Sequence, residues 1–166
     1  FFFLFVCFFF KDGIWANFGI YQYTYLSQEI RFSAAQAYCA ARRASLASIH
    51  SAEENDIVFS LGGVKSFWIG GVREWSWTDS SDFDYTNWAP GEPNNAGGVE
   101  GCIRMNKKTL PNGTWNDINC NLTGSFICKR INAACKIFIS TTCSSSIAIV
   151  IPTSKSLTCF ADSFPA

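Results

Sequence analysis

The sequence predicts one α+β domain in which two helices flank small antiparallel sheets. Apolar residues recur every three or four positions between residues 32 and 43, which indicates an amphipathic helix with Ser33 as its candidate cap. A Ser-x-x-Glu capping box at Ser51 and Glu54 precedes a second apolar stripe, and Gly62-Gly63 is expected to end that helix. Alternating apolar and polar residues at 75–78 are typical of a half-buried strand.

Further short strands are expected on either side of the helices. Aromatic residues alternate loosely from residue 12 to 25, with turns expected at Gly13 and Gly19. Residues 67–69 read as a buried strand, after which Gly70-Gly71 is expected to let the chain turn tightly. A last short strand is expected at residues 103–105.

Length, charge and cysteine content narrow the functional classes. A chain of 166 residues with 48% hydrophobic residues suits one domain with its own core. The 13 basic and 13 acidic residues cancel, which gives no support to nucleic-acid binding or to a polybasic membrane contact. None of the eight cysteines forms a Cys-x-x-Cys pair, so the count favours disulfides in a secreted protein over zinc or redox motifs.

Both ends of the chain differ in composition from its middle. Residues 1–10 include seven phenylalanines and are too short to span a bilayer, which takes about 20 residues. We interpret them as a signal-peptide remnant, with a buried first strand as the alternative. Residues 131–166 stay unassigned, as a disordered extension, a dimerising segment or sequence read past the end of the gene. No membrane span is expected, and the pairing of four cysteines is left open: Cys7, Cys135, Cys143 and Cys159.

Two polar stretches, residues 91–101 and 112–117, carry the most specific chemistry. Their Gly, Pro and Asn content predicts loops rather than helix or central strand. A tryptophan precedes each stretch or lies within it, and a cysteine follows each. Together they bring three carboxylates and two amide oxygens, the hard ligands that Ca²⁺ takes six to eight at a time. The predicted calcium ligands are Glu92, Asn94, Glu100, Asn116 and Asp117.

Four ordered motifs resemble the C-type lectin domain, in its mannose-type subset. They are Trp68-Ile69-Gly70-Gly71, Glu92-Pro93-Asn94, Trp115-Asn116-Asp117 and Phe126-Ile127-Cys128. The resemblance covers residues 12–130 and implies the C-type lectin-like fold with a long calcium-binding loop region. It also implies the disulfides Cys39–Cys128 and Cys102–Cys120, which spacing alone could not select from the 105 full pairings of eight cysteines.

The resemblance also implies a secreted carbohydrate-binding protein whose metal and sugar share one set of residues. Five side chains and one main-chain oxygen would leave about two calcium positions for vicinal sugar hydroxyls. In that family Glu-Pro-Asn accompanies the equatorial hydroxyls of mannose-type sugars, with a cis peptide between Glu92 and Pro93 aiming both side chains at one point. The implied partners are mannose-type glycans or glycoproteins, and weak binding at one site favours an oligomer. The implied sugar-binding residues are Glu92, Asn94, Glu100 and Asn116.

Other readings of the same residues stay open. One is a protein-binding or ice-binding module of the same fold with no sugar ligand. An enzyme is disfavoured because the only histidine, His50, shows no aspartate-oriented serine or cysteine around it in the sequence. A second calcium is not expected beside Arg73. Three aspartates are interpreted as solvated loop charges, namely Asp79, Asp82 and Asp84, and the sequons at Asn112 and Asn121 indicate exposed, glycosylated loops.

Overall fold

The computed structural model describes residues 14–62, 66–105 and 113–133. Within these stretches two helices and eight strands confirm the α+β class. The elements are β1 (Ala16–Phe18), β2 (Tyr21–Arg31), α1 (Phe32–Ala40), β3 (Ser45–Leu46), α2 (Ala52–Leu61), β4 (Phe67–Val72), β5 (Ser76–Trp77), β6 (Cys102–Met105), β7 (Trp115–Ile118) and β8 (Thr123–Ile131). The interpretations of residues 1–10, of Asn112 and of the chain beyond residue 133 lie outside the described residues.

The eight strands form one connected sheet in the order β1-β2-β8-β4-β6-β7, with β3 on β8 and β5 on β4. The β4–β8 pair is parallel, with Phe67 opposite Ser125, and every other pair is antiparallel. The sequence pattern did not predict that parallel pair, because alternation shows which face of a strand is buried but not which direction its neighbour runs.

The two helices begin and end differently from one another. Helix α1 starts at Phe32, one residue before the expected cap Ser33. Arg31 occupies the cap position and makes no capping hydrogen bond with its side chain. The Ser33 prediction is therefore wrong, and the helix ends at Ala40 rather than at residue 43. Helix α2 follows the prediction: Ser51 Oγ accepts the amide of Glu54 at 3.1 Å.

The predicted turn at Gly70-Gly71 is wrong, because β4 continues through both glycines to Val72. A Cβ on Gly70 would lie 2.7 Å from the carbonyl oxygen of Leu46. A Cβ on Gly71 would lie 2.1 Å from the side chain of Ile103. Both glycines therefore allow close packing of β4 against its neighbours rather than a reversal of the chain. The predicted turn at Gly19 is confirmed, between β1 and β2.

Two disulfides each join a different pair of elements of the fold. Cys39–Cys128 joins α1 to β8, with 5.5 Å between Cα atoms. Cys102–Cys120 joins the start of β6 to the turn after β7, with 5.2 Å between Cα atoms. These are the two pairs that the motif resemblance implies. The second one closes the loop region on which the candidate site is built.

Candidate functional site

The two polar stretches lie side by side because their tryptophans pair. We call residues 88–101 the first limb and residues 113–120 the second limb. The amide of Ala89 donates to the carbonyl of Trp115 at 2.9 Å, and the amide of Trp115 donates to the carbonyl of Asn87 at 2.8 Å. The rings of Trp88 and Trp115 meet edge to face, 5.8 Å apart.

Trp115 is the fixed point of this arrangement. Its side chain is fully buried, and its ring also contacts three other aromatic rings: Trp77, Phe83 and Tyr85. The indole Nε1 donates to Asn55 Oδ1 at 2.8 Å, and the Asn55 amide donates to the carbonyl of Gly113 at 3.1 Å. Asn55 was not among the site residues predicted from the sequence, although a polar residue within the apolar stripe of α2 was a detectable signal.

At their far ends the limbs are joined a second time. The Cys102–Cys120 disulfide links them covalently, and the amide of Gly101 donates to the carbonyl of Ile118 at 3.2 Å. Each limb is therefore anchored by a tryptophan on one side and a cysteine on the other. Between these anchors, polar contacts within and between the limbs set the conformation of the chain.

The Glu92–Pro93 peptide is cis, as the resemblance implied. The side-chain nitrogen of Asn94, Nδ2, donates to Glu92 Oε1 at 3.0 Å, so the side chains flanking the proline reach the same point. A proline makes the cis form accessible, at about 0.5–1 kcal/mol above trans. The motif therefore presents a carboxylate and an amide together at the tip of the first limb.

Asp117 connects this tip to the second limb. It is fully buried, and its two oxygens accept the backbone amides of Asn94 at 3.0 Å and Asn95 at 2.8 Å. Glu100 Oε2 accepts the amide of Ala96 at 2.7 Å, and that amide also lies 2.9 Å from Asn94 Oδ1. These contacts bring four of the five predicted ligands together.

Two oxygens of the predicted set are buried without a hydrogen-bond donor in the described part of the chain. They are Glu92 Oε2 and Asn116 Oδ1. A buried oxygen without a donor is costly unless something else binds it, and a hard cation supplies that interaction. The donor set therefore fits Ca²⁺. Asn116 precedes Asp117 in β7, and its Oδ1 makes no hydrogen bond to the other four within the described residues.

The charges at the tip also favour a cation. Burial raises the pKa of Glu92, and the neighbouring carboxylates of Asp117 and Glu100 raise it further. Within the three described stretches, no group of three His, Cys, Asp or Glu side chains is placed to hold a metal ion. A cation here therefore depends on the amide oxygens of Asn94 and Asn116. Beside the tip, Arg73 Nη1 donates to Asn95 Oδ1 at 2.8 Å, so a positive charge already occupies that side.

His50 lies in a cluster of polar side chains from loops that are distant in sequence. Its Nδ1 lies 2.7 Å from Asp84 Oδ1, and its Nε2 lies 3.2 Å from the hydroxyls of Ser48 and Ser81. An aspartate-oriented histidine beside serine is therefore present, because loops distant in sequence converge here. The interpretation of Asp79 as a solvated charge is wrong, since it is partly buried and accepts hydrogen bonds from Ser48 and Ser81. Asp84 is exposed, as expected, and also contacts His50.

The hydroxyl protons of this cluster point away from His50. Ser48 Oγ donates to Asp79 at 2.6 Å, and Ser81 Oγ donates to the same carboxylate at 2.5 Å. Burial alone would raise the pKa of Asp79, but the hydrogen bonds from the two serines outweigh it and hold the pKa below its usual value. Neither serine directs its proton to the imidazole, which a nucleophilic serine requires. The cluster is therefore a structural tie between loops.

Comparison with known proteins agrees with this fold and loop arrangement. The family model described as the Lectin C-type domain matches residues 28–130. The chain belongs to the C-type lectin domain family. The family is generally non-enzymatic, and some of its members bind Ca²⁺ while others do not. No helix in the described part of this C-type lectin domain is long and apolar enough to cross a membrane.

Among curated relatives, ladderlectin of Oncorhynchus mykiss is 40% identical over 116 residues, which cover 64% of this chain and 60% of ladderlectin. Human C-type lectin domain family 4 member K is 36% identical over 121 residues, which cover 68% of this chain but 36% of that protein. The chain thus spans less than two thirds of the length of these two relatives. Galactose-specific lectin nattectin of Thalassophryne nattereri is 31% identical over 70% of this chain and 77% of nattectin.

Two solved structures show the range of the fold. The cow carbohydrate-recognition domain of CD23, solved in the presence of a GlcNAc2Man3 oligosaccharide, is 32% identical with a TM-score of 0.66, covering 74% of this chain and 96% of that one. A calcium-independent type II antifreeze protein is 28% identical with the same TM-score of 0.66, covering 73% of this chain and 94% of that one. The C-type lectin-like fold is confirmed, while one neighbour is described as a carbohydrate-recognition domain and the other as a calcium-independent antifreeze protein.

Proposed function

We propose that this chain is a secreted, calcium-dependent lectin that recognises mannose-type sugars at the tips of the two limbs. The observation that carries the proposal is the cis Glu92–Pro93 peptide beside two buried oxygens without donors, Glu92 Oε2 and Asn116 Oδ1. Neither oxygen has a hydrogen-bond donor in the described part of the chain, and a bound cation would stabilise both.

In this proposal the same residues hold the ion and the sugar. The calcium ligands would be Glu92, Asn94, Glu100, Asn116 and Asp117. Calcium, when bound, would supply coordination positions for two vicinal sugar hydroxyls. The Glu oxygens would accept the hydroxyl protons, and the Asn amide groups would donate to the hydroxyl oxygens. Asp117 would act mainly by holding the first limb through its contacts with two backbone amides.

The choice of sugar rests on the motif rather than on the relatives. One neighbour was solved with a mannose-containing oligosaccharide, whereas nattectin is named as galactose-specific. Here Asn94 Nδ2 donates to Glu92 Oε1, which fixes an acceptor and a donor in a defined order around the proline. Exchange of that order by Glu92→Gln with Asn94→Asp should reverse the positions of donor and acceptor.

Affinity chromatography tests this function. The folded protein should be retained on mannose-agarose in calcium and released by chelator or by free mannose. The Glu92→Gln, Asn94→Asp variant should lose mannose retention and gain preference for galactose-agarose. The matched control is Asp82→Asn, at an exposed loop position outside the limbs. Failure of the folded wild-type protein to be retained would count against the proposal.

A calcium-independent ice-binding or protein-binding role is the second candidate. The antifreeze neighbour matches with the same TM-score as the cow lectin domain. Hydrogen bonds of Asn94 and Glu100 within the first limb also help to set the shape of its tip. Thermal hysteresis that persists in chelator and is unaffected by the Glu92→Gln, Asn94→Asp exchange would favour this role over the lectin.

Hydrolysis is not part of the proposed function. The serine hydroxyls near His50 donate to Asp79, and Lys129 Nζ donates to Ser48 Oγ at 3.0 Å. We therefore expect wild-type protein to hydrolyse a nitrophenyl ester no faster than a His50→Ala variant.

A single shallow site also implies weak binding of sugar, so useful affinity would need several domains on one target. The second sequon, at Asn121, lies in an exposed turn where a glycan could be added.

A further inference from the structure

A basic groove crosses the molecule where α1 and β8 end. It consists of two cavities of about 600 and 310 Å³ that share Arg43, Arg130 and Ile131 as lining residues. Arg42 lines the smaller cavity, and Ser45 and Ser80 line the larger one. None of the five proposed calcium ligands lines either cavity. The groove is therefore separate from the limb tips.

Strand pairing brings the arginines of the groove together. Strand β3 runs antiparallel to β8 with Ser45 opposite Lys129, so the chain just before Ser45 runs beside the residues just after Lys129. Arg43 occupies that preceding segment in a left-handed backbone conformation, at φ 54°. The arrangement thus places Arg43 next to the end of β8, where Arg130 lies.

The guanidinium groups are positioned but not neutralised. Arg130 Nε donates to Gln22 Oε1 at 3.0 Å, and its guanidinium lies 3.7 Å from the centre of the Trp15 ring. Lys129 pairs with Glu54 and His50 with Asp84, whereas no acidic side chain in the described part of the chain forms an ion pair with Arg42, Arg43 or Arg130. Since the whole chain has a formal net charge of zero, this face is a local concentration of positive charge.

The acidic group nearest the groove is already engaged. Asp79 lines the larger cavity, but its oxygens accept the hydroxyls of Ser48 and Ser81, and the charge of Lys129 acts on it. Lys129 in turn is buried and paired with Glu54 at 2.6 Å. Asp79 keeps its negative charge, but among the described residues no acidic one lines the smaller cavity, so an anionic ligand would meet Arg42, Arg43 and Arg130 there.

We propose that this groove binds a sulfated polysaccharide. A guanidinium presents a planar fork of donors that matches two oxygens of a sulfate group. Two adjoining cavities sharing their arginines suit successive sulfated units of a chain better than one isolated ion. Serine hydroxyls at Ser45 and Ser80 add neutral donors. Because no calcium ligand takes part, binding should be independent of calcium and additive to sugar binding at the limbs.

Heparin oligosaccharide binding, measured by calorimetry in the presence of chelator, tests the proposal. Wild-type protein should bind heparin but not its desulfated form. Arg43→Gln with Arg130→Gln should weaken binding about tenfold, because two charge-assisted contacts are lost. Arg43→Lys should weaken it less than Arg43→Gln, because the charge is kept while the fork is lost. Thermal unfolding identifies any variant that fails to fold, and Arg43→Gln alone then decides the result.

The matched control for the single Arg43→Gln variant is Arg31→Gln, which replaces an exposed arginine that lines neither cavity and changes net charge by the same single unit. It should bind heparin as the wild type does. Equal loss in Arg31→Gln, equal binding of desulfated heparin, or no binding by the wild type would overturn the proposal. Equal or tighter binding of polyglutamate would overturn it in favour of an acidic protein partner. The mannose-agarose result is unaffected by any of these outcomes, so the two proposals fail separately.

Discussion

The carboxylate of Asp117 binds the backbone of Asn94, with 3.0 Å between Oδ1 and the amide nitrogen. Its other oxygen binds the next amide, that of Asn95, at 2.8 Å. Because Asp117 is fully buried in β7, this contact fixes the first limb to the rigid sheet. A site held in this way needs less reordering when it binds an ion or a ligand.

Asp117→Asn should lower the free energy of unfolding by about 1–3 kcal/mol, even in chelator. An asparagine offers one acceptor oxygen in place of two, and its NH₂ group faces a backbone amide that also donates. Urea unfolding of calcium-free protein measures the change, with Asp82→Asn as the exposed control. Equal stability of the two variants would mean that the contact does not hold the limb.

Trp115 and Asn55 should be energetically coupled. Trp115→Phe removes the donor to Asn55 Oδ1 and leaves a buried carbonyl oxygen without a partner, so we expect a loss of about 3 kcal/mol from the bond and the smaller ring together. Adding Asn55→Ala should then cost about 1 kcal/mol less than it does in the wild type. Additive costs in this double-mutant cycle, measured by urea unfolding, would contradict the coupling.

The two disulfides should have separable effects. Replacing Cys102 and Cys120 with serine opens a link of sequence separation 18, which should cost about 3 kcal/mol of stability and also weaken calcium binding, because the limbs lose their tether. Replacing Cys39 and Cys128 removes a link of sequence separation 89. That change should cost about 4.5 kcal/mol by the same relation and leave calcium affinity unchanged in protein that stays folded. Equal calcium affinity in both variants would show that the limbs do not depend on their disulfide.

Sugar binding should fall on mild acidification. Burial and the nearby carboxylates of Asp117 and Glu100 raise the pKa of Glu92, so its oxygens take up a proton at a higher pH than a free Glu would. Protons then compete with calcium as the pH falls from neutral toward about 4.3, the ordinary value for Glu. Retention on mannose-agarose that stays constant down to about pH 4 would show that these carboxylates do not hold the ion.

Acidification should weaken sugar binding, but the same raised pKa of Glu92 should make the calcium-free fold more stable on acidification. A carboxyl whose folded pKa is raised contributes its stability below the unfolded pKa, and that contribution is lost as the pH rises through the folded value. The wild type should therefore lose stability relative to Glu92→Gln as the pH rises from about 4 toward neutral in chelator. If urea unfolding shows the same difference in free energy of unfolding between the two proteins at every pH in that range, the direction of the pKa shift is contradicted.

Local chemistry explains which parts of the fold could be predicted. The Ser51 cap and the polar limbs depend on residues close together in sequence, so their patterns were readable. Gly70 and Gly71 were misread because a glycine serves equally in a turn and in a close-packed strand. What distinguishes the two roles is a neighbour distant in sequence, Leu46 or Ile103, which no local pattern contains.

The candidate site shows the same limit. The five oxygen-bearing residues and the cis proline were expected from the motifs. The hydrogen bond from Trp115 to Asn55 and the cluster around His50 were not expected. Both depend on contacts between residues that are 31 or more positions apart in the sequence. A single histidine gives no periodic signal, and its partners are common loop residues. Such clusters become visible only when the fold brings the loops together.

Calorimetric titration of the folded domain with calcium tests the central claim most directly. The arrangement of Glu92, Asn94 and Asp117 predicts saturable uptake of one ion at millimolar concentration or below, with uptake greatly weakened in Glu92→Gln and unchanged in Asp82→Asn. No heat of binding from correctly folded protein across that range, or equal uptake by Glu92→Gln, would contradict it.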